Sequence, residues 1–302
     1  MAAFDAEGIP TLVLKGAALA TLYYRDVGLR PMGDIDMLVP HAQRDQALSL
    51  LVKSGWHRRD TLADSLDLGH GYALDHPSRP KVDLHWRVGW EFCLRDDPDR
   101  STEPFWAGAV SLPLGPRALV PARTLCAADH VLHLCAHGTR ASGAAILRSL
   151  ADATTVISAG VLDWDRLVDH AQRYHLSQIV YEVLTYLEQT TTVGVPQQAR
   201  DALAACPLGL RDRLVFGARA NPRRWEPIVG GPSSLLSTYL DLTAGLPASA
   251  ALRLLPEWLR VTGGFDHTWQ VPVEAVRYCA HLARRRLAGD RPGDVHLPPA
   301  RL

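Results

Sequence analysis

The run of residues 10–39 constrains this chain most. A short apolar stretch ends in Lys15-Gly16, helix formers follow, and Gly33-Asp34-Ile35-Asp36 then opens a second apolar stretch. Residues 10–16 (PTLVLKG) read as a buried strand and 17–25 (AALATLYYR) as a helix. Residues 34–39 (DIDMLV) read as a strand whose period of two puts Asp34 and Asp36 on one face and Ile35 on the other. Pro40 ends it. A helix over 41–54 gathers Ala47, Leu48, Leu50 and Leu51 near one side, and Gly55 is its natural C-cap. GYALDH (71–76) and KVDLHW (81–86) form a hairpin around Pro77-Ser78-Arg79-Pro80. Residues 87–107 read as irregular, and 109–114 with 117–122 as a second small hairpin about Gly115-Pro116.

After Pro121 the strand signals nearly vanish. Helices are expected at 122–137, 144–158, 163–173, 176–190 and 197–205, with Asp163 as an N-cap. Residues 217–272 mix Pro, Gly and Trp without a clear period, and the proline-rich tail from Gly289 reads as extended. No internal repeat is visible. The expected architecture is α/β (α+β): a mixed sheet with flanking helices over 1–120, an all-helical domain over 121–288 and a tail over 289–302.

Two carboxylates at i and i+2 on a strand raise each other's pKa unless a cation neutralises them. Hard oxygen ligands of this kind suit Mg²⁺ (or Mn²⁺) shared with substrate phosphates. Asp83, in the middle of the apolar strand KVDLHW, is an odd residue for a strand interior. Beside Asp34 and Asp36 it would complete a two-metal site for in-line phosphoryl displacement. A lone Asp-x-Asp is common, and an Asp opening a strand is often a turn residue. The order of strand, Lys-Gly, helix, Asp-x-Asp strand, helix and hairpin gives this one its weight.

Other residues gather around that nucleus. Lys15, between a strand end and a helix start, suits a phosphate contact. Arg30, and less so Arg25, can neutralise triphosphate charge. His85 shares the strand face of Asp83 and serves either the acceptor proton or a structural hydrogen bond. Asp75 reads as a turn-flanking residue. His130, His133 and His137 fall within about 60° on one helix face. Without an HExxH pattern or a third ligand type, that face is better read as lining the cleft between the two halves, where His137 meets nucleotide or acceptor, than as a zinc site. Arg148 and Asp152 read as an i,i+4 surface pair. Trp225, Trp258 and Trp269 read as packing residues, and His281–Arg286 as a basic helix end.

Composition narrows the partners. Lys+Arg and Asp+Glu both number 32, so no global basic field argues for nonspecific nucleic-acid binding. A hydrophobic content of 47% supplies a real core. The five cysteines, Cys93, Cys126, Cys135, Cys206 and Cys279, include no CxxC pair and read as reduced thiols in a cytoplasmic protein. No signal peptide and no membrane span is expected. Abundant Arg, Ala, Leu and Pro with scarce Lys fits a GC-rich bacterial genome.

The run LKGAALATLYYRDVGLRPMGDIDMLV, with VDLHW and LHLCAHG downstream, resembles the uncharacterised nucleotidyltransferase family of the DNA polymerase β-type nucleotidyltransferase superfamily, over roughly residues 10–185. The resemblance implies a metal-dependent enzyme that moves an NMP from an NTP to an acceptor hydroxyl and releases pyrophosphate. It implies phosphate contacts at Gly16, two metals on Asp34 and Asp36, and a third carboxylate at Asp83. Ala17 stands where the wider superfamily has Ser, and Lys15 offers a substitute phosphate contact. Relatives carry a helical segment before the first strand, where this chain has nine residues before Pro10. A small-molecule or natural-product acceptor fits the neutral charge best. A toxin-like transferase acting on protein or tRNA would need a basic face, and an inactive nucleotide-binding module would account for Ala17.

Overall fold

The computed structural model describes residues 1–59, 70–92, 98–114, 120–139, 144–220, 238–240, 243 and 246–287. The Gly115-Pro116 turn, Cys93, Trp225 and the tail from Gly289 lie outside them.

The chain opens with a short helix, α1 (Ala2–Ala6), in the stretch before the first strand. Strand β1 is only Leu12–Val13, shorter than the apolar run suggests, because helix α2 (Lys15–Tyr23) begins at once. Strand β2 (Asp34–Leu38) leads through a 3₁₀ turn into α3 (Arg44–Lys53). Gly55 follows at φ +94, the left-handed conformation expected of a glycine past a helix end. Then come β3 (His57–Arg58), β4 (Gly71–Asp75) and β5 (Lys81–His85). The segment read as irregular contains a helix, α4 (Pro98–Ala107), which carries Pro104 in its interior. Proline there costs a helix about 3 kcal/mol in isolation. The burial of Ser101, Thr102 and Phe105 against the core is what offsets it. Strands β6 (Val110–Leu114) and β7 (Val120–Thr124) complete the strands among the described residues.

The seven strands form one mixed sheet in the order β3-β4-β5-β2-β1-β7-β6. β2 runs parallel to β5 and antiparallel to β1, and β1 runs parallel to β7. Among the described residues eight helices follow: α5 (Ala127–Gly138), α6 (Ala144–Ser158), α7 (Trp164–Arg173), α8 (Ser177–Thr190), α9 (Gln197–Ala204), α10 (Leu210–Ala220), α11 (Ala248–Thr262) and α12 (Gln270–Leu287). The Asp163 side chain caps α7 by accepting from the Arg166 amide at 2.9 Å. None of the described helices is long and apolar enough to cross a membrane.

Strand alternation assigns the two faces of the sheet to different cores. Met37, Val39, Val82 and Leu84 point one way and pack with Ala47 and Leu51 of α3 and with Trp86. Leu38 points the other way and joins Leu12, Leu14 and buried residues of α5 through α8 in the main core. Asp36 lies on that second face, two residues before Leu38. Trp258 is buried as a packing residue, whereas Trp269 is 64% exposed, stacked on His267 rather than in the core. Cys135 is buried, and Cys126 and Cys206 are half-buried free thiols.

Candidate active site

The register of β2 on β5 sets Asp36 directly beside Asp83, and Asp34 beside Lys81. Residues paired in this way project from the same face. The two carboxylates therefore meet without any loop rearrangement. His85, two residues beyond Asp83, places Nε2 2.9 Å from Asp36 Oδ1. The ligand atoms of Asp36, Asp83 and His85 lie within 4.8 Å of one another. Asp34 sits two residues up the strand from this group, exposed where β2 begins.

A backbone bond from Leu14 N to Asp36 O, 2.9 Å long, ties the end of the first strand to the carboxylate strand. The next residue, Lys15, then reaches Asp36 with Nζ at 2.6 Å from Oδ1. Lys15 holds φ +49, a conformation that non-glycine residues rarely adopt. Strain of this kind, of order 1–3 kcal/mol, gathers at functional sites. Gly16 follows, at a close approach. A Cβ there would stand 2.9 Å from Met32 Cγ and 3.2 Å from an Arg30 guanidinium nitrogen.

The electrostatics divide the two carboxylates. Burial pushes Asp36 up, but the hydrogen bond from His85 and the charge of Lys15 outweigh it and hold the group well below the usual carboxylate range. Asp83 moves the other way. Burial raises it, and the neighbouring Asp36 and Asp34 charges add to that against the pull of His85 and Lys15. Two neighbouring carboxylates with unlike affinities for a proton are what a cation site and a proton acceptor need side by side.

Lys15, Gly16, Arg30, Asp34, Asp36 and His137 all line one cavity of about 180 Å³, with Asp83 and His85 against its Asp36 wall. A larger hollow of about 590 Å³ lies between α1 and the β6–β7 edge, and its lining holds a single carboxylate, Asp5. The chemistry therefore favours the smaller cavity. Arg25 is exposed and lies outside its lining. Asp75 pairs with Arg59 at 3.1 Å and Lys81 at 3.4 Å, consistent with its turn-flanking reading.

Two expectations change. Asp152 is not the surface partner of Arg148. It is 1% exposed and takes Arg30 through Nε and Nη2 at 3.0 and 2.8 Å, while Tyr24 donates to it at 2.6 Å. Arg30 thus reaches the cavity already paired, and Arg148 is left on the cavity wall with no ion pair among the described residues. The three histidines of α5 do not act as one face. His130 is buried against Thr124, at 3.2 Å, and Tyr23, and burial holds its imidazole down at about 4. His133 and His137 alone line the cavity. Among the described residues the closely converging group of metal-ligand type is Asp36, Asp83 and His85 rather than those histidines. Arg148 and Met32 are cavity residues that sequence reasoning missed. The position of Arg148 one turn before Asp152 on the helix was visible, but its freedom from that partner was not.

A family model described as an uncharacterised nucleotidyltransferase matches residues 1–192, from α1 to just past the end of α8. The chain belongs to this family of nucleotidyltransferases. The match takes in the whole sheet and the helices that close its carboxylate face, so every residue of the cavity falls within it. No curated protein matches this nucleotidyltransferase.

Proposed function

We propose that this nucleotidyltransferase moves an NMP from an NTP to the hydroxyl of a small molecule or natural-product intermediate, in a reaction that depends on Mg²⁺ or Mn²⁺. The observation that carries the reading is the convergence of Asp36, Asp83 and His85 on one sheet face, beside Lys15 at a helix start. Two carboxylates and one imidazole within 4.8 Å fit a small divalent cation. Asp34 and Asp36 would hold two ions, and Asp83 the one nearest the acceptor. When bound, the ions neutralise phosphate charge and acidify the attacking hydroxyl.

The protein's own groups do the rest. His85 fixes the orientation of Asp36. Lys15, Arg148 and the first amides of α2 draw the triphosphate. Arg30, neutralised and held by Asp152, is a fixed part of the wall. The acceptor oxygen bonds to the α-phosphorus as the bond to the bridging oxygen breaks opposite it. Pyrophosphate leaves with that oxygen, and the hydroxyl proton passes to an Asp83 carboxylate oxygen. Positioning and preorganised charge carry most of the rate. The balanced net charge supports a small acceptor over a nucleic acid.

The test is incubation with each α-labelled NTP, Mg²⁺ or Mn²⁺ and candidate acceptors, alongside Asp36→Ala. Label transfer with pyrophosphate release, lost in the variant, is the expected result. Absence of both nucleotide binding and transfer sinks the reading. Binding without turnover under every condition replaces it with an inactive nucleotide-binding module, the reading that Ala17 and the Lys15–Asp36 contact favour. Label found on protein or tRNA alone moves the acceptor to that class.

A further inference from the structure

The reading above accounts for the phosphate end of a nucleotide and leaves its base without a partner. The helical wall of the cavity carries an unexplained arrangement of rings. Phe92, fully buried, is braced edge-on by Phe105 at 5.3 Å and Tyr174 at 5.2 Å between centroids. His133 stacks on Phe92 at 6.0 Å with 29° between planes, and His137 stacks on His133 at 5.5 Å with 12°. The column runs from the core out to His137, the one residue of α5 from Ala127 to Gly138 that is exposed. The helical i,i+4 spacing of the two histidines holds their rings one above the other. Burial, then the charge of Lys15 and the neighbouring His137, keep His133 well below its ordinary pKa and hence neutral within the column.

A second observation points the same way. Met32 lines the same cavity from the loop before β2 and is 46% exposed. The carboxylates, Lys15 and Arg148 claim the polar end of a ligand. His137 and Met32 offer a flat ring and a polarisable thioether to its apolar end. Planar π-faces are taken up by rings at centroid distances of this order, and methionine sulfur packs well on them.

We propose that His137 is the platform on which the nucleobase of the bound nucleotide stacks, with Met32 covering its other face. The inference rests on the nucleotidyltransferase reading above. It makes the helical half a determinant of nucleotide binding through the base, distinct from the phosphate contacts of the sheet half. It is a positioning role, and no bond to His137 forms or breaks.

Calorimetric titration of the full chain with ATP, GTP, CTP and UTP, and separately with inorganic tripolyphosphate, distinguishes the two ends. His137→Ala weakens the nucleotides by about tenfold, the usual worth of one base–ring stack, and leaves tripolyphosphate unchanged. His137→Phe keeps nucleotide affinity near that of the wild type, which also shows that the helix still folds. Arg148→Ala weakens nucleotide and tripolyphosphate alike. Equal losses for both ligands in His137→Ala, no loss for either, or a Phe variant as weak as the Ala variant overturns the platform. A wild-type chain that binds tripolyphosphate as well as any nucleotide overturns it too. A wild-type chain that binds neither sinks the proposed reaction itself, and the platform falls with it.

Discussion

Asp83 and Asp36 sit side by side in the sheet, yet they carry opposite perturbations, and that difference is testable at single residues. Asp36 is hydrogen-bonded by the Lys15 ammonium and the His85 imidazole, whereas Asp83 faces two carboxylates. A group whose folded pKa is raised is destabilising once it ionises. The penalty is absent below the unfolded value of 3.8, grows as pH rises through the folded value, and is complete above it. Asp83→Asn removes that penalty. In the presence of EDTA the variant should melt at a higher temperature than the wild type at pH 7, by less than about 1 kcal/mol because solvent screens a half-buried carboxylate. The gain should fade as pH falls toward 4. The same variant should transfer no label. A variant that is less stable at neutral pH would show that Asp83 is held by favourable contacts and is not kept charged at a cost. Much of this chemistry is legible in the residues themselves. The alternation of DIDMLV and KVDLHW puts three carboxylates on strand faces, and Lys15-Gly16 marks a strand end. The direct bond from His85 to Asp36 depends on the parallel register of β2 on β5, which no local pattern encodes.

Between elements, the decisive contact is that of α5 with α6, because it fixes where His137 and Arg148 stand. Gly138 is the last residue of α5. A Cβ on it would lie 2.7 Å from Ser149 Cβ, closer than real side chains come. Its backbone needs no special conformation, so an exposed glycine there would gain stability on conversion to alanine, by up to about 1 kcal/mol. Here the sign should reverse. Gly138→Ala forces the helices apart and should cost about 1–3 kcal/mol, as overpacking does, read as a lower urea midpoint with unchanged slope. Nucleotide binding should weaken with it, since His137 and Arg148 flank the strained contact. An unchanged or higher midpoint would mean that Ser149 yields freely. Element-level logic also explains where the sequence misleads. The i,i+4 spacing pairs Arg148 with Asp152, but a buried carboxylate gains more from a two-pronged guanidinium, and Arg30 supplies it from 122 residues away. The helix at 98–107 is hidden by Pro104 in its interior, whose local cost is offset only by tertiary packing.

For the whole molecule, the question is which part of the chain can stand alone. The carboxylate face of the sheet is not closed by the sheet's own residues. Leu12, Leu14 and Leu38 belong to the same core as Val131, Leu132, Val156, Leu167, Ile179 and Leu184, which come from four helices after β7. A polar tie reinforces the packing: Asp129 of α5, 1% exposed, is held by Arg166 of α7 at 2.7 Å and lies 2.8 Å from His170 Nδ1. The family match runs through the same helices and ends at residue 192. By contrast, Tyr239 and Trp258 form a small separate cluster with neighbours on α11. A fragment of residues 1–126, which keeps β7 and lacks every helix after it, would therefore expose three core leucines and one wall of the carboxylate-lined cavity. Each buried leucine is worth roughly 1.5–3 kcal/mol, and a domain holds only about 5–15 kcal/mol in reserve. That fragment should show no cooperative melting transition and no nucleotide binding. A fragment of residues 1–220, which keeps α5 through α10 and with them Phe216 packed on the main core, should melt cooperatively and bind nucleotide within a few-fold of the full chain. Thermal denaturation followed by near-ultraviolet circular dichroism, with nucleotide titration of each fragment, reads both outcomes. Cooperative melting by residues 1–126 alone would mean that the sheet closes its own face. Failure of residues 1–220 would place an essential part of the core beyond α10.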